Sequence, residues 1–151
     1  SDEFTLMIDY AHNAMSLKSL LTTLKEYQPK RLVCLFGCGG NRSRDRRFEM
    51  GEVSSLLADF TIVTSDNPRK EEPEAIMEDI VTGVKKADGE YITIIDSREA
   101  IRYAIELARK GAVSVLGGKG HEDYQEINGK KYQMDEREIV ADIVKDGNFL
   151  K

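Results

Sequence analysis

Five short apolar runs along the chain predict β-strands. They cover residues 5–8, 32–36, 60–63, 91–95 and 113–116. The runs are rich in β-branched residues and lack an alternation of polar and apolar positions, which indicates parallel strands that are buried on both faces.

Between these runs, apolar residues recur at the spacing of one helix face and predict helices. The stripes are Leu17, Leu20, Leu21 and Leu24; Ile76, Ile80, Val81 and Val84; Ile101, Ala104, Ile105 and Ala108; and Ile139, Val140, Ile143 and Val144. Asp96 and Asp135 each precede a glutamate by three residues, which is the spacing of a helix N-cap and its N3 partner. Pro73 suits a first helical turn.

Asn128 and Gly129 separate two further strand-like segments, 124–127 and 130–134, and predict a two-residue β-hairpin turn. Strands that alternate with helices predict a single α/β domain over 1–151. We expect a three-layer α/β/α, Rossmann-like sandwich with a mostly parallel sheet and a C-terminal antiparallel hairpin or edge. In such folds ligands bind beyond the carboxyl ends of the strands, where the strand order reverses.

Composition narrows the class of partner. The 151 residues are 32% charged and 40% hydrophobic, with a formal net charge of -5. We expect no nucleic-acid partner, because a negative chain repels phosphate backbones. We also expect no membrane span, because no apolar run reaches the ~20 residues that cross a bilayer. Cys34 and Cys38 are the only cysteines, which favours the cytoplasm over a disulfide-forming compartment.

Polar segments follow four of the predicted strands. Segment 37–47 carries three glycines and then four arginines, so that backbone N–H groups and guanidinium forks could receive a carboxylate or phosphate. Segment 66–69, Asp-Asn-Pro-Arg, holds an acid, an amide and a guanidinium in a turn fixed by proline, which suits a zwitterion. The plain alternatives are a solvated glycine-rich turn and a strand-capping turn.

The other two segments are 9–13 and 117–123. In the second, Glu122 could receive a substrate ammonium group, and the glycines permit close approach of the backbone. Its spacing is not that of a Gly-x-x-x-x-Gly-Lys-Ser/Thr phosphate loop, and its plain alternative is a flexible exit into the hairpin.

A mixed zinc site from His12, His121 and the two cysteines is a further hypothesis. The cysteines lack the usual two-residue separation, and Cys34 falls within a predicted buried strand. We therefore expect no metal site in this chain.

Four motifs in this order make the chain similar to a known enzyme family. They are Asp-Tyr-Ala-His at 9–12, Gly-x-Gly-Gly-x-Arg at 37–42, Asp-Asn-Pro-Arg at 66–69 and Gly-Lys-Gly-His-Glu-Asp-Tyr-Gln at 118–125. Over nearly its whole length the chain resembles the third domain of the bacterial Mur ligases, and within them the branch that adds meso-diaminopimelate to UDP-MurNAc-L-Ala-D-Glu.

The resemblance implies an ATP-dependent amide ligation in peptidoglycan biosynthesis. The D-glutamyl carboxylate of UDP-MurNAc-L-Ala-D-Glu is phosphorylated, and the amine of diaminopimelate attacks the acyl phosphate. The resemblance further implies that ATP and Mg²⁺ are bound mainly by a central domain that is not in this sequence. We expect no catalytic residue here, and no activity from this domain alone.

The resemblance also implies two sets of contacts. The amino-acid contacts are Arg42, Asp66, Asn67, Pro68, Arg69, Gly118 and Glu122, and the nucleotide contacts are Tyr10, His12 and Asn13. Ala14 and Met15 replace a proline and an aspartate common in the family, which removes an acidic nucleotide contact. Asn41 and Ser43 likewise replace acids that often stand on either side of the arginine. Two alternatives stay open, a lysine-adding ligase of the same family and a free-standing module that binds an anion through 42–47.

Overall fold

The computed structural model describes residues 13–38, 44–64, 72–110 and 112–117, and the backbone of 5–8, 124–127 and 130–133. The elements in these ranges are β1 (Thr5–Ile8), α1 (Ala14–Lys25), β2 (Leu32–Phe36), α2 (Arg44–Leu57), β3 (Phe60–Thr64), α3 (Pro73–Lys86), β4 (Glu90–Ile94), α4 (Ser97–Arg109), β5 (Val113–Leu116), β6 (Tyr124–Ile127) and β7 (Lys130–Gln133).

Strands β1 to β5 form one parallel sheet in the order β1-β5-β2-β3-β4. The chain travels from β2 to β4 with α2 and α3 on one face, then returns through α4 on the other face and inserts β5 between β1 and β2. Right-handed crossovers require this change of face when the direction of travel reverses. The predicted three-layer α/β/α sandwich is confirmed.

Strand β2 shows why the apolar runs lack polar alternation. Leu32, Cys34 and Phe36 belong to the core cluster that includes α1, α2 and α3. Val33 and Leu35 belong to the cluster that includes α4. A strand covered on both faces has no position at which a polar side chain would reach water, so every position is apolar.

Strand β4 differs from the prediction of burial on both faces. Glu90 and Thr93 are exposed, and the other residues of the strand are half-buried. The reason is position, because β4 is the edge strand of the sheet. The apolar run at 91–95 identified the strand but not its place at the edge.

The predicted hairpin is confirmed as β6 and β7, which pair antiparallel with Tyr124 opposite Gln133 and Ile127 opposite Lys130. The hairpin is a two-stranded sheet of its own and not an edge of the parallel sheet. The last predicted helix, with its stripe over 139–144, lies outside the described residues.

The other three apolar stripes form the buried faces of helices, as predicted. Their fully or almost fully buried members are Leu17 and Leu21 of α1, Ile76, Ile80 and Val84 of α3, and Ile101, Ala104, Ile105 and Ala108 of α4. In the described part of the chain no helix combines the length and the apolar character that spanning a bilayer requires.

The predicted helix starts at Asp96 and Pro73 are also confirmed. Asp96 is the N-cap of α4, and its Oδ1 accepts hydrogen bonds from the backbone N–H groups of Arg98 at 2.8 Å and Glu99 at 3.1 Å. Pro73 begins α3, where its missing N–H costs no helical hydrogen bond.

Helix α2 begins earlier than the sequence indicated. Residues 44–47 form its first turn, whereas the sequence interpretation assigned them to the loop 37–47. Charged residues carry no apolar period, so the pattern gave no sign of a helix there. Arg47 occupies a core-facing position of the helix and is only 2% exposed.

Two glycines allow α2 and α3 to approach closely. A Cβ atom on Gly51 of α2 would overlap the carbonyl oxygen of Ile80, and a Cβ atom on Gly83 of α3 would overlap that of Phe48. Both obstacles are backbone atoms, which no side-chain rotation can move aside. The missing side chains therefore set the distance between the two helices.

Gly83→Ala should lower the free energy of unfolding by about 1 to 2 kcal/mol. Overpacking costs about 1 to 3 kcal/mol and exceeds the gain of up to ~1 kcal/mol when alanine replaces glycine in a helix. Urea denaturation followed by circular dichroism measures the change. Thr82→Ala, at the exposed neighbouring position, is the control and should shift stability by less than about 0.5 kcal/mol. A Gly83→Ala protein as stable as the wild type would contradict the close packing.

Candidate functional site

The carboxyl ends of four neighbouring strands meet at one edge of the sheet. In the order β1, β5, β2 and β3, these strands end at Ile8, Leu116, Phe36 and Thr64. The ends are in register, since Leu116 pairs with Ile8 on one side and with Leu35 on the other. Neighbouring strands lie about 4.8 Å apart, so the ends of β1 and β3 are separated by roughly 14 Å, which is the scale of a small-molecule site.

The polar segments identified in the sequence all start at these ends. After β1, β5, β2 and β3 come 9–12, 118–123, 39–43 and 65–71, which lie outside the described residues. The insertion of β5 between β1 and β2 puts the start of 118–123 between those of 9–12 and 39–43. Because the strands are parallel, the segments that carry the predicted contacts all start at one edge of the sheet.

Among the predicted contact residues, the structure describes Asn13. The others, Tyr10, His12, Arg42, Asp66, Asn67, Pro68, Arg69, Gly118 and Glu122, lie outside the described residues, and their contacts stay predictions. Asn13 is the N-cap of α1, where its Oδ1 accepts a hydrogen bond of 2.8 Å from the backbone N–H of Ser16. The cap uses the carboxamide oxygen, so the amide NH₂ group is the part of this side chain suited to a ligand.

A charged cluster connects the first turn of α2 to α3. Arg44 donates two hydrogen bonds to Asp79, from Nε to Oδ2 at 3.1 Å and from Nη2 to Oδ1 at 2.9 Å. Arg47 donates from Nη1 to Oδ2 of the same carboxylate at 2.9 Å. The side chains of Arg47 and Asp79 are 2% and 13% exposed, and that of Arg44 is 68% exposed. Charge-assisted bonds of this kind fix the three side chains relative to one another.

The two arginines favour the charged form of Asp79. The pKa of Asp79 is lowered, first by its hydrogen bonds with Arg44; burial opposes the shift, and the bond with Arg47 and attraction to both arginines add to it. Arg44 and Arg47 lie in the first turn of α2, where the positive end of the helix dipole also favours a negative neighbour such as the Asp79 carboxylate.

The cluster corrects the interpretation of segment 37–47 as a single anion-binding loop. Arg44 and Arg47 lie in a helix and bind Asp79. Burial of Arg47 keeps it from any ligand in solution. The hypothesis of an anion-binding module that uses all of 42–47 therefore loses Arg47, and Arg44 is shared with Asp79. The contacts of Arg42 stay a prediction.

The sequence interpretation missed Asp79, although a signal was present. Asp79 stands next to Ile80 and three residues after Ile76, which places an acid on the apolar face of α3. Acids are almost never buried unless they are paired. An acid at such a position predicts a buried cationic partner, and the arginine-rich start of α2 supplies it.

The cysteines are core residues. Cys34 and Cys38 form no disulfide bond with each other, and both are buried. Burial raises the pKa of Cys34 to about 12, partly opposed by a hydrogen bond with Ser54. Metal ligation needs a thiolate, which this environment disfavours. In the part of the chain that the structure describes, no group of three or more His, Cys, Asp or Glu side chains could hold a metal ion, and both histidines lie outside that part.

A separate open groove of about 300 Å³ lies between α3 and the edge strand β4. It is lined by Glu74, Met77, Glu78, Val81, Tyr91, Thr93 and Ile95. Asn13, which the structure describes among the predicted ligand contacts, is not one of these residues.

This chain also matches a known protein family. Residues 1–120 match the family described as Mur ligase, glutamate ligase domain. The chain belongs to the Mur ligase family. The resemblance found in its motifs is thereby confirmed.

Close relatives of this Mur ligase domain share a name. The chain is 48% identical over 142 residues to a UDP-N-acetylmuramoyl-L-alanyl-D-glutamate--2,6-diaminopimelate ligase of Caldanaerobacter subterraneus, with coverage of 94% of the chain and 30% of the relative. It is 45% identical over 144 residues to the ligase of the same name from Syntrophomonas wolfei, with coverage of 95% and 29%. The chain thus spans less than a third of these relatives.

A solved structure agrees with these sequence relatives. A UDP-N-acetylmuramoyl-L-alanyl-D-glutamate--2,6-diaminopimelate ligase superposes on the Mur ligase domain with a TM-score of 0.87 at 39% identity. The match covers 94% of this chain and 29% of that chain. Nearly the whole chain therefore has the architecture of one part of a larger ligase.

Asp79→Asn should lower the free energy of unfolding of the Mur ligase domain by about 3 kcal/mol at pH 7, because Arg47 would be buried without its carboxylate. The pKa of Asp79 is lowered in the folded state. Its stabilisation is therefore present above the unfolded pKa and is lost as the pH falls through the folded value. The difference between wild type and variant should shrink below roughly pH 3.9, the ordinary pKa of an aspartate.

Urea denaturation at pH 7, pH 5 and pH 3 measures this difference. Glu78→Gln is the matched control, since Glu78 is exposed on the same helix. A gap between wild type and Asp79→Asn that stays constant at all three pH values would contradict the role assigned to the carboxylate.

Proposed function

We propose that this Mur ligase domain is the meso-diaminopimelate-accepting domain of an ATP-dependent ligase that acts on UDP-MurNAc-L-Ala-D-Glu in peptidoglycan biosynthesis. The observation that carries the proposal is the row of four parallel strand ends, because the segments with the predicted contacts all start there. The names of the relatives support the substrate, since both are 2,6-diaminopimelate ligases.

The predicted contacts complement the charges of diaminopimelate. This amino acid carries two carboxylates and two ammonium groups. Arg42 and Arg69 offer guanidinium forks that match carboxylates in geometry and charge. Asp66 and Glu122 offer carboxylates for the ammonium groups. Gly118 has no side chain, so the backbone can approach the ligand closely.

The strand order puts the starting points of the three segments in a row. The segment with Glu122 follows β5, that with Arg42 follows β2, and that with Arg69 follows β3. Their starting points are about 5 Å apart in that order. A zwitterion with a charged group at each end fits a row of alternating acids and arginines better than a single compact pocket does. In this proposal the diaminopimelate chain lies across the three strand ends.

We further propose that the nucleotide binds at the outer end of the same row. Tyr10, His12 and Asn13 follow β1, which is the neighbour of β5 on the side away from β2. An aromatic ring beside polar groups suits a nucleotide base. The nucleotide side and the amino-acid side of the site would then meet at β5.

ATP and Mg²⁺ are proposed to be held mainly by the rest of the ligase. The sequence has no Gly-x-x-x-x-Gly-Lys-Ser/Thr phosphate loop. The described residues include no acidic cluster that could hold a metal ion. We therefore propose that the phosphates and Mg²⁺ are held mainly outside this domain, and we expect the isolated domain to be inactive.

Within the proposed reaction this domain positions the nucleophile. The amine nitrogen of diaminopimelate forms a bond with the D-glutamyl carbonyl carbon, the bond from that carbon to the phosphate oxygen breaks, and the amine loses a proton. The residues of this chain bind and orient the amino acid, and none of them is proposed to be catalytic. Holding the amine in the orientation for attack lowers the entropic part of the activation barrier of amide formation.

We place the ligase in the bacterial cytoplasm. Cys34 and Cys38 form no disulfide bond with each other, as expected for a reducing compartment. The relatives are also bacterial ligases.

Arg69→Ala should weaken meso-diaminopimelate binding by about 1 to 3 kcal/mol and leave lysine binding almost unchanged, because lysine has no distal carboxylate to pair with Arg69. Isothermal titration of the chain with each amino acid measures both affinities. Lys110→Ala is the control, since Lys110 is an exposed cation at the end of α4, at the edge of the sheet opposite the candidate site. Equal affinity of the wild type for both amino acids would overturn the specificity and favour the lysine-adding alternative.

A further inference from the structure

We propose that Asp79 is a positioning residue for the diaminopimelate-binding arginine, Arg42. It acts through Arg44 and Arg47, which it binds in the first turn of α2. This inference rests on the proposed function, and it adds a residue of α3 to the machinery that selects the amino acid.

The chain connectivity links the cluster to Arg42. Arg42 precedes Arg44 by two residues, so their Cα atoms are at most about 7 Å apart. Arg44 is the first residue of α2, and both oxygens of the Asp79 carboxylate bind its guanidinium group. A shift of this turn would therefore carry Arg42 with it.

The described residues on either side of 39–43 are both held in the fold. Cys38 is 4% exposed, and its Sγ lies 3.9 Å from Sδ of Met50 on α2. Arg44 is held by the Asp79 carboxylate. The contact of Cys38 is apolar and tolerant of small shifts, whereas that of Arg44 is directional.

A cluster of this kind can orient a helix as well as stabilise it. The α2–α3 interface is already closely packed at Gly51 and Gly83, further along both helices. Buried ion pairs can often be replaced by apolar residues without loss of stability, since desolvation offsets much of their attraction. A bidentate arginine–carboxylate pair adds directional geometry that apolar contacts lack. The cluster therefore orients the start of α2 in addition to holding it.

The expected effect of losing this orientation is selective. A misplacement of about 1 Å at a binding group can cost up to about 100-fold in catalysis. We expect Asp79→Asn in the full-length ligase to raise the KM for meso-diaminopimelate at least tenfold. The KM for ATP should change less than twofold, because the nucleotide contacts follow β1 and not β2.

The experiment compares four variants of the ligase expressed from its complete coding sequence. Asp79→Asn removes the carboxylate charge, and Asp79→Glu keeps it one methylene further out and should recover most of the wild-type KM. Arg44→Gln breaks the exposed arm of the cluster and keeps the buried pair of Arg47 with Asp79, so it remains informative if Asp79→Asn does not fold. Glu78→Gln is the control and should behave as the wild type. Steady-state rates are measured with meso-diaminopimelate, lysine and ATP varied in turn.

The outcomes separate this inference from the function on which it rests. A wild-type enzyme that does not use meso-diaminopimelate would overturn the proposed function. A wild-type enzyme that uses it, with Asp79→Asn and Arg44→Gln at unchanged KM for diaminopimelate, would overturn the positioning role alone. Equal losses for diaminopimelate and ATP would also overturn it, since they indicate a general loss of structure. A selective rise in the KM for diaminopimelate with recovery in Asp79→Glu supports it.

Discussion

Every strand of the five-stranded sheet runs in the same direction, so each connection within the sheet has to carry the chain back from one end of the sheet to the other. Helices do this work, and burial of the sheet on both faces follows from it. The constraint has a second effect, because all segments that leave the carboxyl ends start at one edge. The segments after β1 and β5, which are far apart in sequence, thereby start at neighbouring positions. The location of the candidate site is therefore set by strand direction, and particular side chains determine only what it binds.

The reversal after β4 adds the detail that makes the edge useful. Had β5 joined the sheet beyond β4, its segment would have started at the far end of the row. Because β5 is inserted between β1 and β2, the segment after β5 starts between the segments that follow β1 and β2. The reversal requires one helix to lie on the opposite face of the sheet. Helix α4 covers that face with its stripe of isoleucine and alanine.

Local patterns in the sequence predicted most of this architecture. Strands β1, β2 and β5 have the predicted bounds, and β3 and β4 differ from prediction by one residue at their ends. Burial on two faces and one-sided helix packing both leave a period in the sequence, which explains this success. The exposure of β4 was not predictable in this way, because edge position depends on strand order and not on the residues of the strand.

The start of α2 and the role of Asp79 were missed for a related reason. Pairs between Asp79 and the arginines at 44 and 47 join residues more than 30 positions apart, and no local period reports such a contact. The predicted ligand contacts have a different status. The motifs identified them by resemblance, and the topology gives their segments a shared edge, but their individual contacts stay predictions.

The buried thiols have a practical consequence for site-specific labelling of this domain. Cys34 has a pKa raised to about 12 and Cys38 is 4% exposed, so at neutral pH neither presents an accessible thiolate to a maleimide reagent. A single cysteine introduced at an exposed position, such as Glu106 on α4, would then be labelled without competition from the two native cysteines of this domain. Fluorophores or spin labels could be attached there without first replacing Cys34 and Cys38 and disturbing the core they fill.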